Sequence, residues 1–352
     1  MTQPVVLAAI HNRIGQITLN RPTGLNALNL DMIRLLRRHL DDWLEDDNVQ
    51  AVVLRGAGER AFCAGGDIRA VYEQYLAGDE ASIVAFFTEE YDLDGLVHGY
   101  PKPIIALMDG FVLGGGMGLS QGARLRIITE HSRLGMPETA IGYFPDVGGS
   151  YFLPRAPGET GIYLGVTGNH IGPADALYCG LADICIRRDS LAQVEALMAG
   201  YDWTSGNAET LLEALCDLPR HDPGPAPLAA QRDAIDRHFR HHSLTEIQQS
   251  LIAEQDASSI DWARQTLTTL QQRSPLAMAV TLELLRRGRE LDLHQCFALE
   301  LHLDRQWFGK GDIAEGVRAL LVDKDRKPRW NPPQIDQLDP ARVADFFAGF
   351  VA

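Results

Sequence analysis

The 352-residue sequence has little cysteine and uses it singly. Cys63, Cys179, Cys185, Cys216 and Cys296 are odd in number and scattered, with no C-x-x-C pair and no Cys/His cluster. Reduced thiols in a reducing compartment are the plain reading, and no metal site is expected. Positive charge is also short: Lys and Arg total 32 against 47 Asp and Glu, a formal net charge of −15. Neutralising a phosphate backbone takes surplus cations, so general nucleic-acid binding is excluded as the default. A local basic patch for one anionic ligand is not. No apolar run approaches the roughly 18 residues that cross a bilayer. The start, Met1-Thr2-Gln3-Pro4-Val5, shows neither a charged n-region before an apolar stretch nor an Arg-rich amphipathic segment. No signal or transit peptide is therefore expected, and the sequence reads as a soluble cytoplasmic protein without membrane or nucleic-acid partners. There is no fixed-period repeat and no Walker pattern G-x-x-x-x-G-K-[ST].

What is present is enough for a core: 45% hydrophobic and 22% charged residues, in a length that suits one large domain or two ordinary ones. Val5 to Ile10 and Ile14 to Asn20 are β-branched runs around His11-Asn12-Arg13, which predicts a hairpin. Asn29 caps a predicted helix whose apolar residues Met32, Leu35, Leu36, Leu40 and Trp43 follow at helical spacing. Strands are expected at Val49 to Leu54, Ile104 to Asp109, Leu125 to Thr129 and Arg133 to Met136. Helices are expected from Ile68, over Ser82 to His98, and from within the glycine run at 114–118. After about residue 190 strand signals vanish and only helical patterns remain. The division expected is a mixed core, 1–190, and an α-helical extension, 191–352, packing on it. The Pro/Gly-rich stretch His221 to Pro227 reads as a hinge or surface loop.

Two glycine-rich turns, at Gly65-Gly66 and Gly114-Gly115, each follow a predicted strand and precede a predicted helix. The N–H groups of a first helical turn lack intrahelical partners, and glycine lets a ligand approach them. Two such turns converging on one oxygen make an oxyanion hole, with Gly66 and Gly115 as candidate donors. The same glycines also suit tight turns and close packing. Gly114 to Gly118 is not a clean dinucleotide fingerprint. Glu138 and Asp146 each follow a proline in segments with few other charges, where burial favours the protonated form of a carboxyl group and suits it to proton exchange. An acid after proline is equally a helix-start arrangement. Glu90 is a third candidate; its neighbour Glu89 reads as a solvated helix residue. Cys63 reads as packing rather than nucleophile, and His238, His241 and His242 as a solvated face.

Phe62-Cys63-Ala64-Gly65-Gly66-Asp67-Ile68 resembles the first oxyanion turn of the enoyl-CoA hydratase/isomerase (crotonase) superfamily, and Gly110-Phe111-Val112-Leu113-Gly114-Gly115-Gly116-Met117-Gly118-Leu119 resembles the second. The resemblance implies an α/β fold, a crotonase-like spiral of ββα units closed by C-terminal helices. It also implies a CoA thioester carbonyl bound by the Gly66 and Gly115 N–H groups, with Gly65, Asp67 and Gly114 beside the substrate. Hydratases of the superfamily carry two glutamates; one position matches Glu138, the other matches Gly118, where the carboxylate is missing. The stretch Met136 to Arg155, with Phe144-Pro145-Asp146-Val147-Gly148-Gly149, is similar to the 3-hydroxyisobutyryl-CoA hydrolase group. So are Phe87-Thr88-Glu89-Glu90-Tyr91 and the segment from Glu315 to Trp330. That likeness implies hydrolysis of a short 3-hydroxyacyl-CoA in valine degradation, with Glu138 as nucleophile or general base and Asp146 and Glu90 at the 3-hydroxyl group. It implies no cofactor, CoA being part of the substrate, and a homo-oligomer. Arg60 and Lys102 are candidates for the CoA phosphates. An enoyl-CoA hydratase or isomerase, and a catalytically weak acyl-CoA-binding protein, are the alternatives the residues leave open.

Overall fold

The computed structural model describes residues 4–351. The chain clusters into two compact units that alternate along the sequence. The first holds the chain up to Asp67, Glu89–Leu134 and Ile171–Ala226. The second holds Ile68–Thr88, Gly135–His170 and the chain from Pro227 onward.

The first unit is built on a six-stranded sheet. Strands β1 (Val6–His11) and β2 (Ile14–Leu19) pair antiparallel, with His11 opposite Ile14. Asn12 and Arg13 both take positive φ (46° and 60°), the two-residue turn whose twist matches a hairpin. The α1 helix (Leu30–Leu44) opens as expected, with Asn29 Oδ1 accepting the Met32 N–H at 3.0 Å. Strand β3 (Ala51–Gly56) then pairs parallel with β2. Residues 61–63 form β4 (Ala61–Cys63); in chain order there follow α2 (Ile68–Ala77), which is counted in the second unit, and α3 (Glu80–His98), which is counted in the first from Glu89. Next come β5 (Ile104–Met108), β6 (Phe111–Leu113), α4 (Gly115–Gln121), β7 (Leu125–Thr129), β8 (Arg133–Gly135) and, later, β9 (Ile184–Ile186). The large sheet runs β1-β2-β3-β5-β7-β9 and is parallel from β2 onward. A small sheet runs β4-β6-β8.

Side chains alternate across a strand. Ala51 and Val53, Ile105 and Leu107, Leu125 and Ile127, and Ile184 and Ile186 therefore share one face of the sheet. They pack with Val194 and Met198 from the helix Leu191–Gly200 and with Leu211, Leu212 and Leu215 from the helix Ala208–Cys216. Because those helices cover the sheet, the first unit continues past residue 190, the expected division, to Ala226. The change of unit falls within the Pro/Gly-rich stretch that reads as a hinge.

The second unit is helical. Its main helices are Thr160–Thr167, Pro275–Gly288, Leu293–Lys310 and Pro340–Phe347. An aromatic cluster centres on Trp307, edge-on to Tyr143 (5.7 Å) and Phe144 (5.0 Å) and close to Phe346 (4.8 Å). The Trp307 indole N–H donates to the Gly142 carbonyl at 2.9 Å. His238 departs from the solvated face expected for it: it is buried, bonded to Ser250 Oγ (2.7 Å) and Glu254 (2.8 Å). Among the described residues no helix is long and apolar enough to cross a membrane.

Candidate active site

In the first unit the small sheet aims two strand–helix junctions at each other. Strand β4 ends at Cys63 and passes through Gly65, whose φ of 105° lies in the region glycine favours. Leu28 bridges to this turn: its N–H donates to the Gly65 carbonyl at 2.9 Å, and Asp67 N–H donates to the Leu28 carbonyl at 2.7 Å. In a parallel bridge of this kind the flanking residues make the bonds, so the Gly66 N–H points to the opposite side. At the other junction Gly114 (φ 49°, ψ −121°) turns the chain into α4, whose first residue is Gly115. The N–H of a first helical residue has no intrahelical acceptor. A Cβ added to Gly115 would lie 3.3 Å from the Gly66 nitrogen, and one added to Gly65 would lie 3.8 Å from the Gly115 nitrogen. The two candidate donors stand side by side, an arrangement able to bind one oxygen and stabilise charge developing on it.

Glu90 comes to the same place from α3. It is 2% exposed, and a Cβ on Gly115 would lie 2.4 Å from its Oε1. Glu89, about 100° around the helix, turns outward and pairs with Arg34 at 2.7 Å. Asp94, fully buried one turn beyond Glu90, was not among the sequence candidates. Burial pushes the Cys63 thiol up to about 12, with the Glu90 and Asp94 charges adding to the shift, and its Sγ donates to the Gly65 carbonyl at 3.6 Å. Cys63 is thus a neutral packing residue at this turn. The Asp67 carboxylate pairs with Arg21 at 2.8 Å. Lys102 bonds the Trp43 and Asp46 carbonyls and so closes the end of α1, whereas Arg60 is exposed.

In the second unit Glu138 begins a 3-10 turn, Glu138–Ile141, directly after Pro137, and is 7% exposed. Its carbonyl accepts the Tyr143 N–H at 3.0 Å, which closes the turn. Asp146 is 6% exposed and precedes two residues of positive φ, Val147 (50°) and Gly148 (83°). Two further carboxyl groups come from the helix Leu293–Lys310. Glu300 accepts from the Gly148 and Ser150 N–H groups (2.8 and 2.9 Å), and Asp304 from the Tyr143 hydroxyl at 2.8 Å. Burial, with the Asp146 charge adding to it, pushes Glu300 and Asp304 each up to about 8. The sequence reading missed both. Their signal is an acid at 300 and at 304 within the apolar stripe Cys296, Leu299, Leu303 and Trp307. Among the described residues no group of three or more His, Cys, Asp or Glu is arranged to hold a metal ion.

The raised carboxyl groups have a consequence for stability. Folded, Glu300 and Asp304 hold protons that an unfolded chain releases near pH 4. From about pH 4 to 8 the native state binds more protons, so stability falls as pH rises. Asp304→Asn keeps the size and an acceptor for Tyr143 but removes this penalty. Its thermal midpoint at pH 8.5 is expected to exceed wild type by about 2 °C or more, with the difference shrinking toward pH 4. Scanning calorimetry across that range checks it; a difference independent of pH counts against the assignment.

The family model for enoyl-CoA hydratase/isomerase matches residues 14–347. A 3-hydroxyisobutyryl-CoA hydrolase, mitochondrial, of Danio rerio is 39% identical over 91% of this chain and 83% of its own length. The small ribosomal subunit protein mS47 of Neurospora crassa is 37% identical over 96% of this chain and 70% of its own. Among solved structures, an enoyl-CoA hydratase from Rhodobacter sphaeroides superposes with a TM-score of 0.88 at 39% identity, covering 98% of this chain and 97% of that one. The expected crotonase-like α/β fold is the fold found, and the chain belongs to the enoyl-CoA hydratase/isomerase family.

Proposed function

We propose that the protein hydrolyses a short 3-hydroxyacyl-CoA thioester, 3-hydroxyisobutyryl-CoA, to 3-hydroxyisobutyrate and free CoA. The observation that carries this reading is the side-by-side pair of N–H groups at Gly66 and Gly115, with the buried Glu90 against Gly115. The zebrafish hydrolase supports it in sequence. In this reading the two N–H groups hold the thioester oxygen and stabilise its developing charge. Glu138 acts on the carbonyl carbon, either forming an acyl anhydride that water opens or deprotonating the attacking water. The C–S bond breaks, and the thiolate leaves as CoA and takes up a proton. Asp146 and Glu90 bind the 3-hydroxyl group. A site built to bond a hydroxyl leaves buried polar groups unpaired when the hydroxyl is absent, and so discriminates against plain acyl chains. The reaction belongs to valine breakdown. Five free thiols among the described residues fit a reducing compartment, and we assign the cytoplasm. No cofactor enters the scheme.

The test offers two substrates. With 3-hydroxyisobutyryl-CoA, free thiol is expected to accumulate. With crotonyl-CoA, loss of the conjugated enoyl absorbance is expected to be slow, because Gly118 stands where the hydratase resemblance requires a second glutamate. Fast hydration without thiol release rejects the hydrolase reading in favour of a hydratase; acyl-CoA binding without turnover of either thioester rejects it in favour of a binding protein. Cys63→Ala is expected to leave thiol release within about twofold of wild type, since a thiol held neutral and buried is a poor nucleophile. A loss of two orders of magnitude there transfers the nucleophile's role from Glu138 to Cys63.

A further inference from the structure

Glu300 has no place in the chemistry above, yet it is fully buried and every bond it makes goes to one turn. Its Oε2 accepts the Gly148 N–H at 2.8 Å, and its Oε1 accepts the Ser150 N–H at 2.9 Å. The Ser150 hydroxyl adds a bond to Oε1 at 2.5 Å. Directly before those donors stand Asp146 and then Val147, held at a φ of 50°. A β-branched residue in that region is strained and persists there only where its surroundings over-determine it. The helix Pro275–Gly288 supplies the other side of the grip, so close that a Cβ on Gly288 would lie 1.9 Å from the Ser150 carbonyl oxygen. The turn is clamped at Gly148 and Ser150, and its leading residue is Asp146.

We propose that Glu300 is a positioning residue, whose carboxyl group holds the Val147–Ser150 turn and thereby orients Asp146 to recognise the 3-hydroxyl group of the acyl chain. The proposal rests on the hydrolase reading and names what tunes its specificity. The two backbone donors fall on different carboxyl oxygens. An amide offers one oxygen only, so glutamine keeps the volume but turns an NH2 group toward one of the two N–H groups. The neutral carboxylic acid does not have this defect. Its hydroxyl can donate to Ser150 Oγ while both oxygens still accept from the backbone, so the clamp survives protonation of Glu300.

The experiment uses the full chain and measures kcat/KM by thiol release for 3-hydroxyisobutyryl-CoA and for isobutyryl-CoA. Glu300→Gln is expected to lower the ratio of the first to the second at least tenfold. In an Asp146→Asn background the same change is expected to move the ratio less than twofold, because its effect acts through Asp146. Loss of both activities in equal proportion, which leaves the ratio intact, overturns the proposal and makes Glu300 a structural residue. So does a further tenfold fall in the Asp146→Asn background. Glu300→Asp retains two oxygens drawn back by one methylene group; it serves if the glutamine variant does not fold, and an unchanged ratio in it also overturns the proposal. Wild-type protein that releases thiol from neither thioester overturns the underlying reading and the proposal with it, a result distinct from an altered or unaltered ratio in an active enzyme.

Discussion

Glu138→Gln is expected to lower kcat for thiol release from 3-hydroxyisobutyryl-CoA by about 10²–10⁴-fold, with KM within a few-fold of wild type. Glutamine matches glutamate in size and keeps one side-chain oxygen as acceptor, and Glu138 is 7% exposed at the start of a short 3-10 turn. The fold therefore tolerates the change, and an unchanged thermal midpoint is part of the expectation. What is lost is the group that attacks the carbonyl carbon or takes the proton from water; an amide does neither at neutral pH. Wild-type turnover in this variant removes Glu138 from the mechanism. Single-turnover reaction of wild type in ¹⁸O-labelled water separates the two routes. An anhydride opened at the enzyme's carbonyl leaves label on Glu138, whereas general-base attack puts it all in the released acid.

The parts of this molecule that were legible in the sequence are those whose causes are local. The Asn12-Arg13 turn, the Asn29 cap and the glycine pairs at 65–66 and 114–115 appear where they were expected, because turn sterics and cap bonds involve only near neighbours. Glu90 and Glu89 separated as expected for adjacent positions on one helix. Other features depend on residues distant in the chain. Strand β9 has only three residues, too few for a period to show, and is fixed by pairing with β7. The helices Leu191–Gly200 and Ala208–Cys216 look like any later amphipathic helix, and only their packing on the sheet assigns them to the first unit. His238 lies in a polar stretch, yet its partners Ser250 and Glu254, from the next helix and the turn after it, take it out of solvent. Glu300 and Asp304 were hidden for the same reason. A carboxyl group on an apolar stripe reads as a surface interruption until the turn it serves, 150 residues earlier, is seen against it.

Gly115→Ala is expected to lower kcat by about 10²–10³-fold, comparable to the cost of losing one preorganised oxyanion donor, because its methyl group bars the thioester oxygen from N–H groups that themselves remain, and without loss of thermal stability. The added methyl group lies within 3.0 Å of a side-chain end only, Glu90 Oε1 at 2.4 Å; its backbone neighbour, the Gly66 nitrogen at 3.3 Å, is a tight contact that a shift of a few tenths of an ångström relieves. It therefore occupies the space in front of the donor pair and displaces the Glu90 carboxylate, both of which the proposed reaction uses. Gly116→Ala is the contrasting variant. Its methyl group would lie 2.3 Å from the Cys63 carbonyl oxygen, where α4 crosses the end of β4, and relief there requires the junction itself to move. That variant is expected to lose thermal stability along with activity. Measuring kcat and the unfolding midpoint for both separates the two causes. If Gly115→Ala loses stability as Gly116→Ala does, the glycine serves packing; if it keeps both stability and turnover, the thioester oxygen is held elsewhere. Activity lost with the midpoint intact is the signature of a donor pair that acts on the substrate and not on the fold.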